Sequence, residues 1–184
     1  MTTNVASVLS LKLRRMFDIL DADRDGHLTA EDMPALADAL AVPFAAVPDK
    51  MRDLRAALSN IWDAHLSQMA EESGGRLSPA GYERGVRVAI AEDGESLVEA
   101  LNDTVVAWFA LFDTDDDGLI SREEYVQIGG PLGGVSVEEM GQAFDRLDHD
   151  GDGELSIEEI RTAAAEYFTS DNPDADGNWL YGPL

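Results

Sequence analysis

The chain has 184 residues, 37 acidic side chains against 13 basic ones, a net charge of −24, 45% hydrophobic residues and no cysteine. Such acidity excludes binding to nucleic acid or to an anionic membrane surface, since both need a basic face. The missing cysteine excludes disulfides, thiolate catalysis and Cys-ligated zinc. The ordinary hydrophobic content predicts a folded chain, either one compact domain or two fused lobes, so the charge invites a cation instead.

The first predicted helix, about 5–20, leaves on the apolar stripe Met16, Phe17 and Leu20. It has no basic segment ahead of an apolar one, which predicts a cytoplasmic chain without an export signal. The loop that follows, Asp21–Asp32, carries Asp at positions 1, 3 and 5 (Asp21, Asp23, Asp25), Gly at 6, His27 at 7, Leu28 at 8, Thr29 at 9 and Asp32 at 12. A helix over 30–41 follows, and Pro43 and Pro48 bracket the break before the next one at 48–70.

That third helix leaves on Trp62, Leu66 and Met69, the same stripe, into a loop that keeps Gly75, Leu77 and Ser78 at positions 6, 8 and 9. Its ligand positions read Ala70, Glu72, Gly74 and Gly81, so the second unit is retained in form and chemically empty. Helices at 79–92 and 95–112 flank Glu92-Asp93-Gly94, and Gly94 weakens any continuous connecting helix. That favours two lobes packed together over a dumbbell. The longest apolar run, Val105 to Phe112, lies here and is too short to cross a bilayer.

The pattern then returns twice. Trp108, Phe109 and Phe112 lead into Asp113–Glu124, with Asp113, Asp115, Asp117, Leu119, Ser121 and Glu124 at positions 1, 3, 5, 7, 9 and 12. A helix at 121–128, the glycine-rich linker 129–134 and a helix at 136–147 follow. Phe144 and Leu147 lead into Asp148–Glu159, with Asp148, Asp150, Asp152, Glu154, Ser156 and Glu159 at the same positions. A last helix at 157–168 precedes a tail, 169–184, rich in Asp, Pro and Gly but holding Trp179, Leu180 and Tyr181. We expect that cluster to plug an apolar surface. The three live loops hold 17 of the 37 acids; outside them the balance is an unremarkable −9.

Oxygen-only ligands suit a hard divalent cation, and calcium accepts six to eight of them. The three Asp side chains fold round one centre, Gly at position 6 permits the turn, and the backbone carbonyls of His27, Leu119 and Glu154 face the ion. Position 9 coordinates through water, and a Glu at position 12 supplies two oxygens. Leu28 should pair with Leu77, and Ile120 with Leu155, as short ribbons between loops. Ser121–Glu124 and Ser156–Glu159 are also helix capping boxes, an added role in these loops. Asp32 is one methylene shorter than Glu, which predicts weaker calcium discrimination at site 1, with magnesium competing. His65 is expected to pack at the rim of the core and His149 to be solvated. Met16, Met33, Met51, Met69 and Met140 read as core filling rather than as an exposed groove.

Asp21–Asp32, Asp113–Glu124 and Asp148–Glu159 identify a resemblance to the EF-hand superfamily. With the second hand dead, Asp closing the first loop and the tail Gly177-Asn178-Trp179-Leu180-Tyr181-Gly182, the chain resembles the calerythrin group, bacterial relatives of sarcoplasmic calcium-binding proteins. Arg outnumbers Lys 11 to 2, which also points to a GC-rich bacterial genome. The resemblance implies an all-α fold of four helix–loop–helix units in two packed lobes, 1–93 and 94–168, covered by a tail, 169–184. It implies three calcium ions and a buffering or transport role, not an enzyme. A monomer is expected. The alternatives are a calcium sensor that exposes apolar surface to a protein partner, and a calcium-triggered photoprotein, which needs a cavity lined by aromatic and His groups.

Overall fold

The computed structural model describes residues 6–41, 44, 48–71, 74–132 and 134–184. The predicted features at Pro43, Glu72 and Gly133 lie outside these. Helix α1 (Val8–Leu20) starts at Ser7, whose hydroxyl accepts the Ser10 N–H, and buries Leu9, Leu13, Met16, Phe17 and Leu20 on one stripe. It ends as it enters the first loop, with the Asp21 N–H bonded to the Phe17 carbonyl. α2 (Asp32–Ala41) leaves that loop.

The helix predicted at 48–70 is one rod in three pieces. α3 (Pro48–Ile61) opens on proline, a π turn spans Trp62–Leu66, and α4 (Ser67–Glu71) completes it. A π turn carries an extra residue, which rotates the next segment without interrupting the rod. α5 (Pro79–Phe112) covers both helices predicted at 79–92 and 95–112. The break between them falls at Asp93 (φ −162°, ψ 88°), not at Gly94. Asp93 accepts the Ser96 N–H at 3.1 Å and the Ser96 hydroxyl at 2.7 Å, so the second segment begins on an ordinary acidic N-cap.

α6 (Arg122–Val126) is shorter than expected. In the glycine-rich linker behind it, Gly129 and Leu132 are packed while Gly130 and Pro131 are exposed. Leu132 is buried, and a Cβ on Gly129 would lie 2.5 Å from the Met140 side chain. α7 (Val137–Leu147) and α8 (Ile157–Thr169) complete the long helices, each opened by a Ser–Glu capping box. β1 (Ile120–Ser121) and β2 (Glu154–Leu155) pair antiparallel with Ile120 opposite Leu155, and Leu28 bridges Leu77, both in the expected register.

A single apolar core runs across the Asp93 break. Phe44 packs on Phe112 at 5.0 Å between ring centroids, and α1 packs on both α5 and α8. Met16, Met33, Met51 and Met140 are buried in it. No helix among the described residues is long and apolar enough to cross a membrane.

The tail is fastened by α1. Lys12 lies on the apolar stripe, wholly buried, and its ammonium donates to the carbonyls of Glu166 (2.9 Å) and Ser170 (2.8 Å) and to Asn178 Oδ1 (2.9 Å). A cation here also caps the C-terminal end of α8. Burial pushes the Lys12 ammonium down to about 8, with Asp171 and Glu166 opposing, so it stays charged at neutral pH. Arg15 holds the carbonyls of Tyr181 and Pro183, and the Tyr181 ring meets Tyr167 edge-on at 5.1 Å. Gly177 lies so close to α8 that a Cβ would sit 2.5 Å from the Ala163 carbonyl, so only glycine fits. Trp179, Leu180 and Tyr181 therefore cover the chain's own surface, as expected.

Candidate metal sites

The loops 21–32, 113–124 and 148–159 share one hydrogen-bond scaffold. The position 1 carboxylate accepts the position 6 N–H, from Gly26, Gly118 and Gly153 at 2.9, 3.0 and 3.0 Å. The position 3 carboxylate accepts the position 5 N–H, and the position 5 carboxylate accepts the N–H of His27, Leu119 or Glu154 at 2.9 Å. Each loop thus curls over its own acids. Position 6 glycines have φ of 84°, 89° and 90°, which favours glycine.

Position 12 clasps the loop shut from outside. Glu124 Oε1 accepts from Thr114 N–H (2.7 Å) and hydroxyl (2.6 Å), while Oε2 accepts from Ser121 N–H (2.8 Å) and hydroxyl (2.9 Å). Glu159 bonds His149 N–H at 2.9 Å and Ser156 N–H at 2.8 Å. Asp32 makes the same two reaches, to Ala22 N–H at 3.1 Å and Thr29 N–H at 2.8 Å. Burial pushes the Glu124 and Glu159 carboxyls up, but these hydrogen bonds outweigh it and hold both below the usual carboxylate range. Both are ionised at neutral pH.

The acids converge in threes. Asp113, Asp115 and Glu124 bring ligand oxygens within 4.8 Å of one another, as do Asp148, Asp150 and Glu159, and in the first loop Asp21, Asp23 and Asp25. Asp21, Asp32, Asp113 and Glu124 are buried. Like charges this close need a counter-ion. The donors are all oxygen, with no thiolate or imidazole, which fits calcium or magnesium and not a soft metal. Asp32 is outside the first cluster, and Asp117 and Asp152 are outside the other two. These last two are engaged by backbone N–H groups.

The second loop keeps the turn without the charge. Gly75 has φ 85°, and its N–H bonds the backbone carbonyl of Ala70 at 3.1 Å, in place of an Asp carboxylate. His149 is exposed and lies 3.5 Å from Asp176 of the tail, and His65 is half-buried. Sequence reasoning missed position 4, which is left-handed in all three live loops: Arg24 (φ 60°), Asp116 (φ 62°) and Gly151 (φ 73°). Only Gly151 carried a signal for it. It also missed two cations from the second hand: Lys50 on α3, 2.6 Å from Asp116 and 2.5 Å from the Asp113 carbonyl, and Arg76, 2.6 Å from Asp25.

A family profile for the EF-hand domain pair matches residues 11–128, and an EF-hand profile matches 140–164. Calerythrin of Saccharopolyspora erythraea is 30% identical over 170 residues, covering 91% of this chain and 94% of the relative. A sarcoplasmic calcium-binding protein of Perinereis vancaurica tetradentata is 28% identical over 174 residues, covering 94% and 96%. A solved calcium-binding protein of Streptomyces coelicolor, described in prokaryotic calcium-mediated regulation, superposes with a TM-score of 0.73 at 25% identity, over 88% of this chain and 98% of that one. The Perinereis and Streptomyces relatives are both described as calcium-binding proteins.

Proposed function

The chain belongs to the EF-hand family of calcium-binding proteins, related to calerythrin and the sarcoplasmic calcium-binding proteins, and on that premise we propose that it is an intracellular calcium buffer with three working hands. Asp21, Asp23, Asp25, the His27 carbonyl and Asp32 hold the first ion. Asp113, Asp115, Asp117, the Leu119 carbonyl and Glu124 hold the second, and Asp148, Asp150, Asp152, the Glu154 carbonyl and Glu159 the third. The hands work as two pairs, 1–93 and 94–168, in a monomer closed by the tail, 169–184.

The observation that carries the buffer reading is the fastening of the tail by Lys12 and Arg15. A sensor must open a hand and expose apolar surface on binding calcium. Here the groups it would expose are tied down at several points. Apolar-dye binding and hydrodynamic radius of the calcium-free, magnesium and calcium forms test this. A buffer shows the same low dye binding in both loaded forms and a smaller radius than without metal. A rise in dye binding when calcium replaces magnesium would make it a sensor, as the regulatory description of the Streptomyces protein suggests for that relative.

Site 1 has mixed calcium and magnesium character in this reading, because Asp32 is one methylene shorter than Glu and, unlike Glu124 and Glu159, stands outside the acid cluster of its loop. Magnesium keeps several waters and needs fewer protein ligands. Asp32→Glu is expected to raise the preference of site 1 for calcium; unchanged competition by magnesium in a two-metal titration would contradict this. The photoprotein reading is less favoured. A cavity of about 100 Å³ is lined by Phe109, Phe112, Tyr82 and Tyr181 with His65 beside them, but His27 and His149 stand in the metal loops, leaving a luciferin one imidazole.

A further inference from the structure

The second hand, empty of metal chemistry, places a cation on the first. Leu28 and Leu77 exchange backbone hydrogen bonds at 2.8 and 2.9 Å, an antiparallel register that sets position 7 of each loop opposite position 9 of the other and diagonally across from its position 7. Position 7 of the empty loop is Arg76. Its Nη2 lies 2.6 Å from Asp25 Oδ2 and 3.2 Å from His27 Nδ1. Asp25 Oδ1 already accepts the His27 N–H. Both oxygens of this acid are therefore engaged, one by backbone and one by a guanidinium.

The other two live loops differ. Asp117 and Asp152, at the same position, also accept the position 7 N–H, but among the described residues neither is ion-paired to a basic side chain. Their loops pair with each other in the same register, Ser121 opposite Glu154, so the residue diagonally across at position 7 is Leu119 or Glu154 and not a cation. Lys50 does reach the third loop, yet its partners are Asp116 at position 4 and the Asp113 carbonyl. Of the clustered acids, Asp25 alone among the described residues is paired to a charge from the empty hand.

We propose that Arg76 is a tethered counter-ion of site 1, which stands in for metal at Asp25 and sets the calcium affinity of that site below the other two. The inference rests on the reading that loop 21–32 binds calcium. A calcium ion there must displace the guanidinium or bind with it a few ångströms away. Arg76 and Asp25 are about half exposed, so a water-like dielectric applies, and a unit charge about 6 Å from a divalent ion then weakens binding roughly ten-fold. The penalty is electrostatic and falls with salt. The three sites then fill in order, with site 1 last. The hand that lost its own metal site thereby serves as an affinity control on its neighbour.

Calcium titration calorimetry of the full chain at low and at high salt tests this, with Arg76→Gln, Arg76→Lys and Asp21→Asn variants. Arg76→Gln is expected to bind three ions with the weakest step tightened roughly ten-fold at low salt, and the gain should shrink at high salt. Arg76→Lys should stay near the parent, and the gain should vanish when Asp21→Asn disables site 1. Three ions bound with an unchanged weakest step overturns the role of Arg76 and leaves site 1 standing. A weaker step in Arg76→Gln means the residue only braces the loop, and also overturns it. Two ions bound by parent and Arg76→Gln alike overturns site 1 itself, and the inference with it.

Discussion

Glu159→Gln is expected to remove one calcium ion from the chain, and Glu124→Gln another, each lowering the affinity of its site by about a hundred-fold. Position 12 is the one ligand that comes from the outgoing helix, so it joins the two helices of a hand through the metal. Loss of one negative charge about 3 Å from a divalent ion costs about 3 kcal/mol even at the dielectric of water. Glutamine keeps the shape of the side chain and can still accept the Ser156 N–H that Glu159 accepts at 2.8 Å, so the helix cap survives. Stability should follow binding. A site held at 100 times its dissociation constant contributes about 2.7 kcal/mol, and that amount should vanish from the calcium-loaded variant only. Without metal the variant should be slightly less stable than the parent, because the hydrogen bonds that depress the Glu159 carboxyl favour its charged form in the fold, and the loss should be larger with calcium. Calorimetry and urea denaturation with and without calcium measure both quantities, and unchanged stoichiometry with unchanged affinity would contradict the assignment.

Lys12→Met is the second large effect, and it acts far from the metal. The side chain is fully buried, and its ammonium satisfies the carbonyls of Glu166 and Ser170 and the Asn178 amide oxygen. Methionine fills the same space and leaves those three acceptors without a donor, at about 1–3 kcal/mol for each one that water does not reach. A loss of roughly 3–5 kcal/mol is expected, the range for removing one partner from a buried charge interaction. The tail should also loosen, seen as earlier proteolysis after Thr169 and as dye binding in the calcium form. A variant within about 0.5 kcal/mol of the parent by urea denaturation, the range of an ordinary surface change, would show that Lys12 only fills space.

These effects differ in how far the sequence foretold them. The metal loops were legible because each position has its own chemical duty: Asp to ligate, Gly to turn, Leu or Ile to pair. That is why the register of Leu28 with Leu77 and of Ile120 with Leu155 could be stated from residue type alone. Lys12 was not legible. It interrupts the stripe of Leu9, Leu13 and Met16, and its acceptors lie 154–166 residues away, so no local pattern announces them. The break between the segments of α5 was expected from Gly94, the weak helix former, but the chain turns at Asp93, where a carboxylate can cap. Helix ends follow available hydrogen bonds as much as backbone propensity. The left-handed position 4 was hidden because Arg24 and Asp116 hold that unfavourable conformation within loops that over-determine it. Arg76 could have been found, since the ribbon register sets it opposite Thr29 and diagonally across from His27.

Charge then has three fates in this molecule. Seventeen acids are gathered in the live loops, one cation is buried to hold the tail, and one is carried by the empty hand to the edge of site 1. In the proposed function the first, third and fourth hands bind calcium and the second does not. Calcium binding to the metal-stripped full chain, counted by equilibrium dialysis at saturating calcium, tests it most directly. The expected result is three ions per chain. Four would mean that the second loop binds despite Ala70 and Gly81, and two or fewer would mean that a loop with the full set of acids does not bind.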